Sequence, residues 1–300
     1  MSDSPLILFG AFDRHNFGDL LLAEISASVL RHRPLVFAGL AERDLTAFGG
    51  RKVRSIAEVA REWGDQPADV VQTGGEILTC SLYEAAVMLL SQESAAKAIA
   101  CHDADRAARQ AWSEELLGLH QQVAYLVPRS LFRRPRNFQY FGIGGTELAN
   151  VPLPMRQEVI ANLQHAGHVW VRDRVTQAHL EQARIRTFLA PDPAAATARL
   201  CGSCIASHRV DGEPAAVAAR FSQGYLAAQF SAEFGDDATL RQIGCRLQQV
   251  QGATGLGIVL FRAGAAPWHD DLEVYRRLLV ATPDLDAVVA ESLDIWDICA

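Results

Sequence analysis

The chain has 300 residues, 49% apolar and 21% charged, with 22 glycines and 12 prolines in no periodic arrangement. That composition argues against disorder, collagen and coiled coil, and the length suggests about two domains. Its 28 basic and 35 acidic residues leave a net charge of −7, which would repel a polyanion and disfavours sequence-independent nucleic-acid binding.

The longest clean apolar runs, such as Ala85–Leu90, fall short of the ~20 residues that span a bilayer. The start Met1-Ser2-Asp3-Ser4-Pro5 lacks the basic head and apolar run of a secretory signal. A soluble, cytoplasmic chain is expected, with its six cysteines (80, 101, 201, 204, 245 and 299) as reduced thiols.

Along the chain, Leu6–Phe9 reads as a short buried strand that breaks at Gly10, with a helical period from Asp19 to Leu30. A second strand is predicted at Leu35–Ala38, a helix at Ile56–Trp63, and a strand at Asp69–Gln72 ending at Gly74-Gly75. Helix Leu82–Leu90 leads into an Ala-, Gln- and Arg-rich stretch to Gln122, read as helical, solvent-facing and part of an insertion around 93–136. Arg129–Arg136 holds four arginines and is expected to form a solvated, mobile loop, with contact to anionic lipid at the inner membrane face as the other possibility.

Strand Phe138–Phe141 stops at Gly142-Ile143-Gly144-Gly145. Helix Pro154–Gln164, strand His168–Val171, helix Val175–Ala183 and strand Thr187–Leu189 follow. This alternation implies βαβ units and a mainly parallel sheet. Turn-forming residues concentrate from Cys201-Gly202-Ser203-Cys204 to Gly212, so a boundary is placed there, giving domains 1–204 and 205–300. The second repeats the theme with strands Tyr225–Phe230, Gly257–Phe261 and Asp286–Val289 and helices Ala238–Gln251, Asp270–Leu279 and Asp294–Cys299. The expected fold class is α/β with two Rossmann-like domains.

The residues that could carry chemistry lie at strand ends. In Gly10-Ala11-Phe12-Asp13-Arg14-His15-Asn16-Phe17-Gly18-Asp19, the helix start offers free N–H groups to an anion. Equally, Asn16 or Asp19 caps the helix and Gly18 allows the turn. Gly74 and Gly75, followed by Glu76, let backbone approach a ligand or simply reverse the chain, and Gly142-Ile143-Gly144-Gly145 does the same after another strand. Arg172 could grip a carboxylate or phosphate, oriented by Asp173 or Asp192, or Arg172 and Asp173 could be a structural pair or cap. In Trp268-His269-Asp270-Asp271, capping is favoured over an acid–base role for His269. Cys201-x-x-Cys204 has no partner pair at zinc spacing, so no metal is expected. The absence of G-x-S-x-G, P-loop and H-E-x-x-H patterns argues against hydrolase and NTPase classes.

Asn16-x-Gly18-Asp19, the Asp69–Gly75 strand with its glycine pair, Val171-Arg172-Asp173 with Thr176, Pro191-Asp192-Pro193 and Tyr225–Ser231, in this order, resemble the polysaccharide pyruvyl transferase family. The resemblance implies a two-domain GT-B arrangement and transfer of the enolpyruvyl group of phosphoenolpyruvate onto two hydroxyls of one sugar. No further cofactor is implied, and the acceptor would be a glycan or lipid-linked saccharide. It assigns Arg172 to the donor's anionic groups and puts Asn16, Gly18, Asp19, Gly74, Gly75 and Asp173 around the substrates. Two departures stand out. Glu76 replaces a third glycine common in the family. The family's Arg-x-His segment, with the favoured acid histidine, would come next after Ser292–Ile298, so the second domain is expected to be incomplete and the catalytic histidine to lie beyond Ala300, with His269 as a weak substitute. The competing expectations are a GT-B nucleotide-sugar glycosyltransferase and a non-catalytic family member that binds a glycan or partner.

Overall fold

The computed structural model describes residues 5–269 and 271–300. It is an α/β protein of two compact units. One runs up to Arg14 and resumes over Gly18–Leu200; the other takes His15–Phe17 and Cys201–Ala300.

In the first unit the chain runs β1 (Leu6–Phe9), α1 (Phe17–Val29), β2 (Leu35–Gly39), β3 (Arg43–Asp44), β4 (Lys52–Ser55), α2 (Ile56–Trp63) and β5 (Ala68–Thr73). It continues with α3 (Leu82–Met88), α4 (Gln92–His102), α5 (Arg106–Leu117), β6 (Pro135–Ile143), α6 (Leu153–Gln164), β7 (His168–Val171), α7 (Arg174–Gln182) and β8 (Phe188–Leu189). The eight strands form one sheet in the order β3-β4-β2-β1-β5-β6-β7-β8. All pairs are parallel except β3 with β4. The strand order reverses at β1, whose register aligns Phe9 with Ala38 on one side and Gln72 on the other. This is the Rossmann-type order, and it opens a crevice beyond the carboxyl ends of β1 and β5.

β1 can lie at the centre because all four of its residues are buried. Ile7 and Phe9 join the larger core with α2, α3 and α6, while Leu6 and Leu8 meet Ala23 of α1 on the opposite face. A strand covered on both faces needs such an unbroken apolar run, and each fully buried Leu, Ile or Phe contributes roughly 1.5–3 kcal/mol.

Several expectations are corrected here. The helical stretch after α3 is not simply solvent-facing. Ala95, Ala98, Ser113 and Leu117 are buried, and Trp112 meets the Tyr83 ring edge-on at 5.7 Å. After α5, Val123–Val127 crosses the core without helix or strand and is fully or almost fully buried. Its backbone is satisfied by Glu158 Oε1 on the Val123 N–H (3.0 Å), Cys80 O on the Ala124 N–H (3.0 Å) and Gln72 Oε1 on the Val127 N–H (2.7 Å).

Arg129–Arg136 is not a loop throughout, since Arg129–Leu131 forms a 3-10 turn and β6 begins at Pro135, while Arg133 and Arg134 are exposed. Arg129 lies over the Phe138 ring and donates to Pro135 O (3.1 Å), and Arg136 Nε donates to Asp69 Oδ1 (2.6 Å).

The second unit contains α8 (Thr197–His208, whose first turn belongs to the first unit), α9 (Gly212–Arg220), β9 (Tyr225–Ala228), α10 (Asp237–Thr254), β10 (Gly257–Leu260), α11 (Leu272–Ala281), β11 (Ala287–Val289) and α12 (Ile295–Cys299). Its sheet is parallel, in the order β11-β10-β9. Cys201-Gly202-Ser203-Cys204, expected to be a turn, lies inside α8. Asp271 caps α11 by accepting from the Glu273 N–H (2.9 Å), while Asp270, the expected start of that helix, falls outside the described residues, as does Met1–Ser4. Among the described residues no helix is long and apolar enough to cross a membrane.

Candidate functional site

The loops after β1, β5, β6 and β7 bring charged side chains together at the carboxyl edge of the eight-stranded sheet. Close packing lets the strands end side by side. A Cβ on Gly10 would stand 2.6 Å from Thr73 O, and one on Gly142, which has φ of +66°, would meet Pro193 at 2.5 Å. These two glycines serve the backbone, as does Gly74, where a Cβ would meet Ile77 at 2.6 Å.

Gly75 is different. A Cβ there would lie 3.3 Å from Arg172 Nη1 and 3.8 Å from Asp19 Oδ1. The missing side chain therefore lets the Arg172 guanidinium and the Asp19 carboxylate both come close to the backbone here. That backbone is rigid, since Gly75 O accepts from the Gly144 N–H (2.7 Å) and the Ile77 N–H (3.0 Å).

Arg172 is held by two carboxylates. Its Nη1 donates to Asp192 Oδ2 (3.1 Å) and its Nη2 to Glu76 Oε2 (3.3 Å), and its side chain is 27% exposed. Glu76, at the position where a third glycine was expected, is itself fixed by the Thr146 N–H (2.5 Å) and hydroxyl (3.1 Å) on Oε1. Asp192 also accepts from the Ala194 N–H (2.8 Å).

Asp19 is oriented from below. Arg14 Nη2 donates to Asp19 Oδ2 (3.3 Å), Arg14 Nη1 to the Tyr125 hydroxyl (2.6 Å), and the guanidinium carbon sits 5.0 Å from the Tyr125 ring centre. Arg14 is only 10% exposed, and its Nε has no partner among the described residues. Burial works against its charge, but its acidic surroundings outweigh that and raise its pKa above the usual arginine value, with Asp19 and Asp13 as the carboxylates among them. Burial pushes the Cys80 thiol up to about 12 and the Tyr125 hydroxyl well above its usual range, with Arg14 opposing both. Both therefore stay neutral at ordinary pH.

Asp13 faces the sheet edge. Its Oδ2 accepts from the Leu40 N–H (2.5 Å) and the Ala41 N–H (2.9 Å). Burial raises its pKa, opposed chiefly by the Ala41 bond and the Arg14 charge.

The residues expected from sequence thus separate. Gly75, Asp19 and Arg172 meet at one point. Gly74 supports it through packing. Gly18 opens the return of the chain into the first unit, whereas Asn16 belongs to the second, where it bridges Gly264. Asp173 caps α7, accepting from the Thr176 N–H (2.7 Å) and hydroxyl (2.7 Å), and Thr176 Oγ1 in turn accepts from the Gly145 N–H (2.8 Å). His269 lies in the second unit, its ring against Gly264, where a Cβ would stand 2.9 Å from Cγ.

Sequence reasoning missed Arg14, Tyr125 and Asp13. The available signal was an Asp-Arg pair directly after a buried strand and a tyrosine inside the apolar run 123–127. Among the described residues no group of three or more His, Cys, Asp and Glu side chains is arranged to hold a metal ion. No protein-family model matches the chain, and comparison with curated proteins returned no match.

Proposed function

We propose that the chain is a polysaccharide pyruvyl transferase of GT-B type, acting in the cytoplasm on phosphoenolpyruvate and a glycan or lipid-linked saccharide. The observation that carries this reading is the approach of Arg172 and Asp19 to the bare backbone of Gly75. Ketal formation protonates the methylene carbon of the enol, which builds cationic character at the adjacent carbon. Two sugar hydroxyls attack that carbon and phosphate leaves. The donor needs a fixed cation for its carboxylate or phosphate, and the acceptor needs a base within reach.

Arg172 supplies the cation. A carboxylate or phosphate oxygen replaces Asp192 or Glu76 on its planar fork, an exchange that its partial exposure allows. Asp19 supplies the base. Arg14 donates to its Oδ2, and its Oδ1 lies 3.8 Å from where a Gly75 Cβ would stand.

Titration calorimetry with phosphoenolpyruvate tests this reading. Arg172→Ala should weaken binding by roughly 100-fold, as expected for loss of paired charge-assisted hydrogen bonds. Asp19→Asn should retain binding while losing acceptor-dependent phosphate release. Undiminished binding by Arg172→Ala contradicts the reading. The two carboxylates already on Arg172 favour a second reading, a family member that binds a saccharide without catalysis. That reading predicts no phosphoenolpyruvate binding by either protein.

A further inference from the structure

Past β10, the middle strand of the second unit's sheet, the chain places a cation without a counter-charge among the described residues. The Phe261 N–H donates to Ala228 O (3.2 Å) and the Ala290 N–H to Leu260 O (2.8 Å). The ladder therefore runs out at Phe261, and Arg262 is the first residue beyond the sheet's carboxyl end, the end at which open parallel sheets bind ligands.

Among the described residues Arg262 makes neither a hydrogen bond nor an ion pair, and its Nε is shut off from water. Arg220, Arg276 and Arg277 of the same unit each meet a carboxylate. A buried guanidinium N–H without an acceptor is destabilising, and an arriving oxyanion removes that cost.

The three residues that follow are pinned in place. The Phe17 N–H donates to Ala263 O (2.6 Å), Asn16 forms an antiparallel bridge with Gly264, and the Ala265 N–H is shared between His15 O and His15 Nδ1 (3.2 Å each). His15 Nε2 stands 2.7 Å from Leu293 O. Nε2 must therefore donate and Nδ1 accept, so the ring is neutral with both nitrogens engaged. It is Arg262, not His15, that remains available to a ligand.

Burial, with the Arg262 charge adding to it, holds the His15 pKa below the usual histidine range, against the Leu293 bond. From the 261–269 loop the charged or titratable neighbours are Arg262 and His269, which borders Gly264; the 290–294 segment presents the Leu293 carbonyl.

We propose that Arg262 anchors an oxyanion site at the carboxyl end of β10, taking the phosphate or carboxylate group of a small ligand on its planar fork. The site rests on the second unit alone and does not depend on the reaction proposed above.

His15 reports its occupancy. In a proton NMR titration of the 300-residue chain, inorganic phosphate should raise the His15 midpoint saturably, on the order of half a pH unit, because the anion cancels the charge of Arg262. Arg262→Gln should raise the midpoint without phosphate and abolish the response. Arg262→Lys, which keeps the charge but loses the fork, should retain the low midpoint and respond several-fold more weakly. Acetate separates the two sources: a response to phosphate alone assigns a phosphate group, and a response to acetate as well assigns a site that accepts carboxylates. A midpoint indifferent to both anions, or a response that survives in Arg262→Gln, overturns the proposal.

Discussion

Asp13 is 1% exposed, accepts the Leu40 and Ala41 backbone N–H groups just after β2 on Oδ2, and has the Tyr125 hydroxyl 3.5 Å from Oδ1. Its work is structural. Asp13→Ala should orphan the Leu40 and Ala41 N–H groups and destabilise the protein by roughly 2–5 kcal/mol, while Asp13→Asn, which keeps a carbonyl acceptor, should cost less. Urea unfolding of the two variants checks this, and equal small losses would contradict it. Gly75 makes the opposite case. Its backbone angles suit any residue, and the nearest atom to a new Cβ is the flexible end of Arg172. Gly75→Ala should therefore shift the melting temperature by no more than about 2 °C while weakening phosphoenolpyruvate binding on the order of tenfold. Gly74→Ala, driven against Ile77, should be the destabilising one of the pair. Arg172 could be singled out from sequence because an arginine ending a buried strand is unusual. Its partner Asp192, 20 residues away, could be named beside it from sequence, whereas Glu76, 96 residues away, is brought to it only by the fold.

Whether an element was legible depended on how much its local pattern had to share control with tertiary context. β1 announces itself because both faces are buried and the whole strand is apolar, whereas β5, equally buried, shows only Val70-Val71 as an apolar pair among Asp69, Gln72 and Thr73. β3 and β4, two and four residues long and partly exposed, carry no such pattern. α8 was hidden by Gly202 and the small polar residues around it, whose turn preference is weak beside twelve residues of continuous helix. The run 123–127 forms neither helix nor strand and is held by Glu158, Cys80 and Gln72, and no local signal encodes partners that distant. At this scale Asp173 is a cap. Asp173→Ala should cost about 1 kcal/mol and leave phosphoenolpyruvate affinity within twofold, and a large loss of affinity at unchanged stability would return it to the site. Asp69 ties the start of β6 and the turn before β2 to β5. Arg136 holds its carboxyl below the usual range, against burial and with help from Arg33. Because the folded-state pKa is depressed, this contribution is complete above the usual carboxylate value near pH 4 and is lost as pH falls through the depressed one. Thermal melts of Asp69→Asn against the parent chain should converge in acid and diverge toward neutrality. A constant gap contradicts that linkage.

For the whole molecule, the alternation of strands and helices was sufficient to indicate a parallel α/β sheet, and with it the edge where a ligand would sit. It could not indicate the reversal of strand order at β1, which is a property of pairing between distant segments. That reversal brings the β1 and β5 loops side by side and sets Arg14 beneath Asp19. The central claim is that this edge of the eight-stranded sheet receives phosphoenolpyruvate across Gly75. The most direct measurement is a crystal structure with phosphoenolpyruvate bound. The account predicts donor oxygens within hydrogen-bond distance of Arg172, over Gly75, with Glu76 or Asp192 displaced from the guanidinium. Phosphoenolpyruvate bound elsewhere, with Arg172 still paired to both carboxylates, would contradict it.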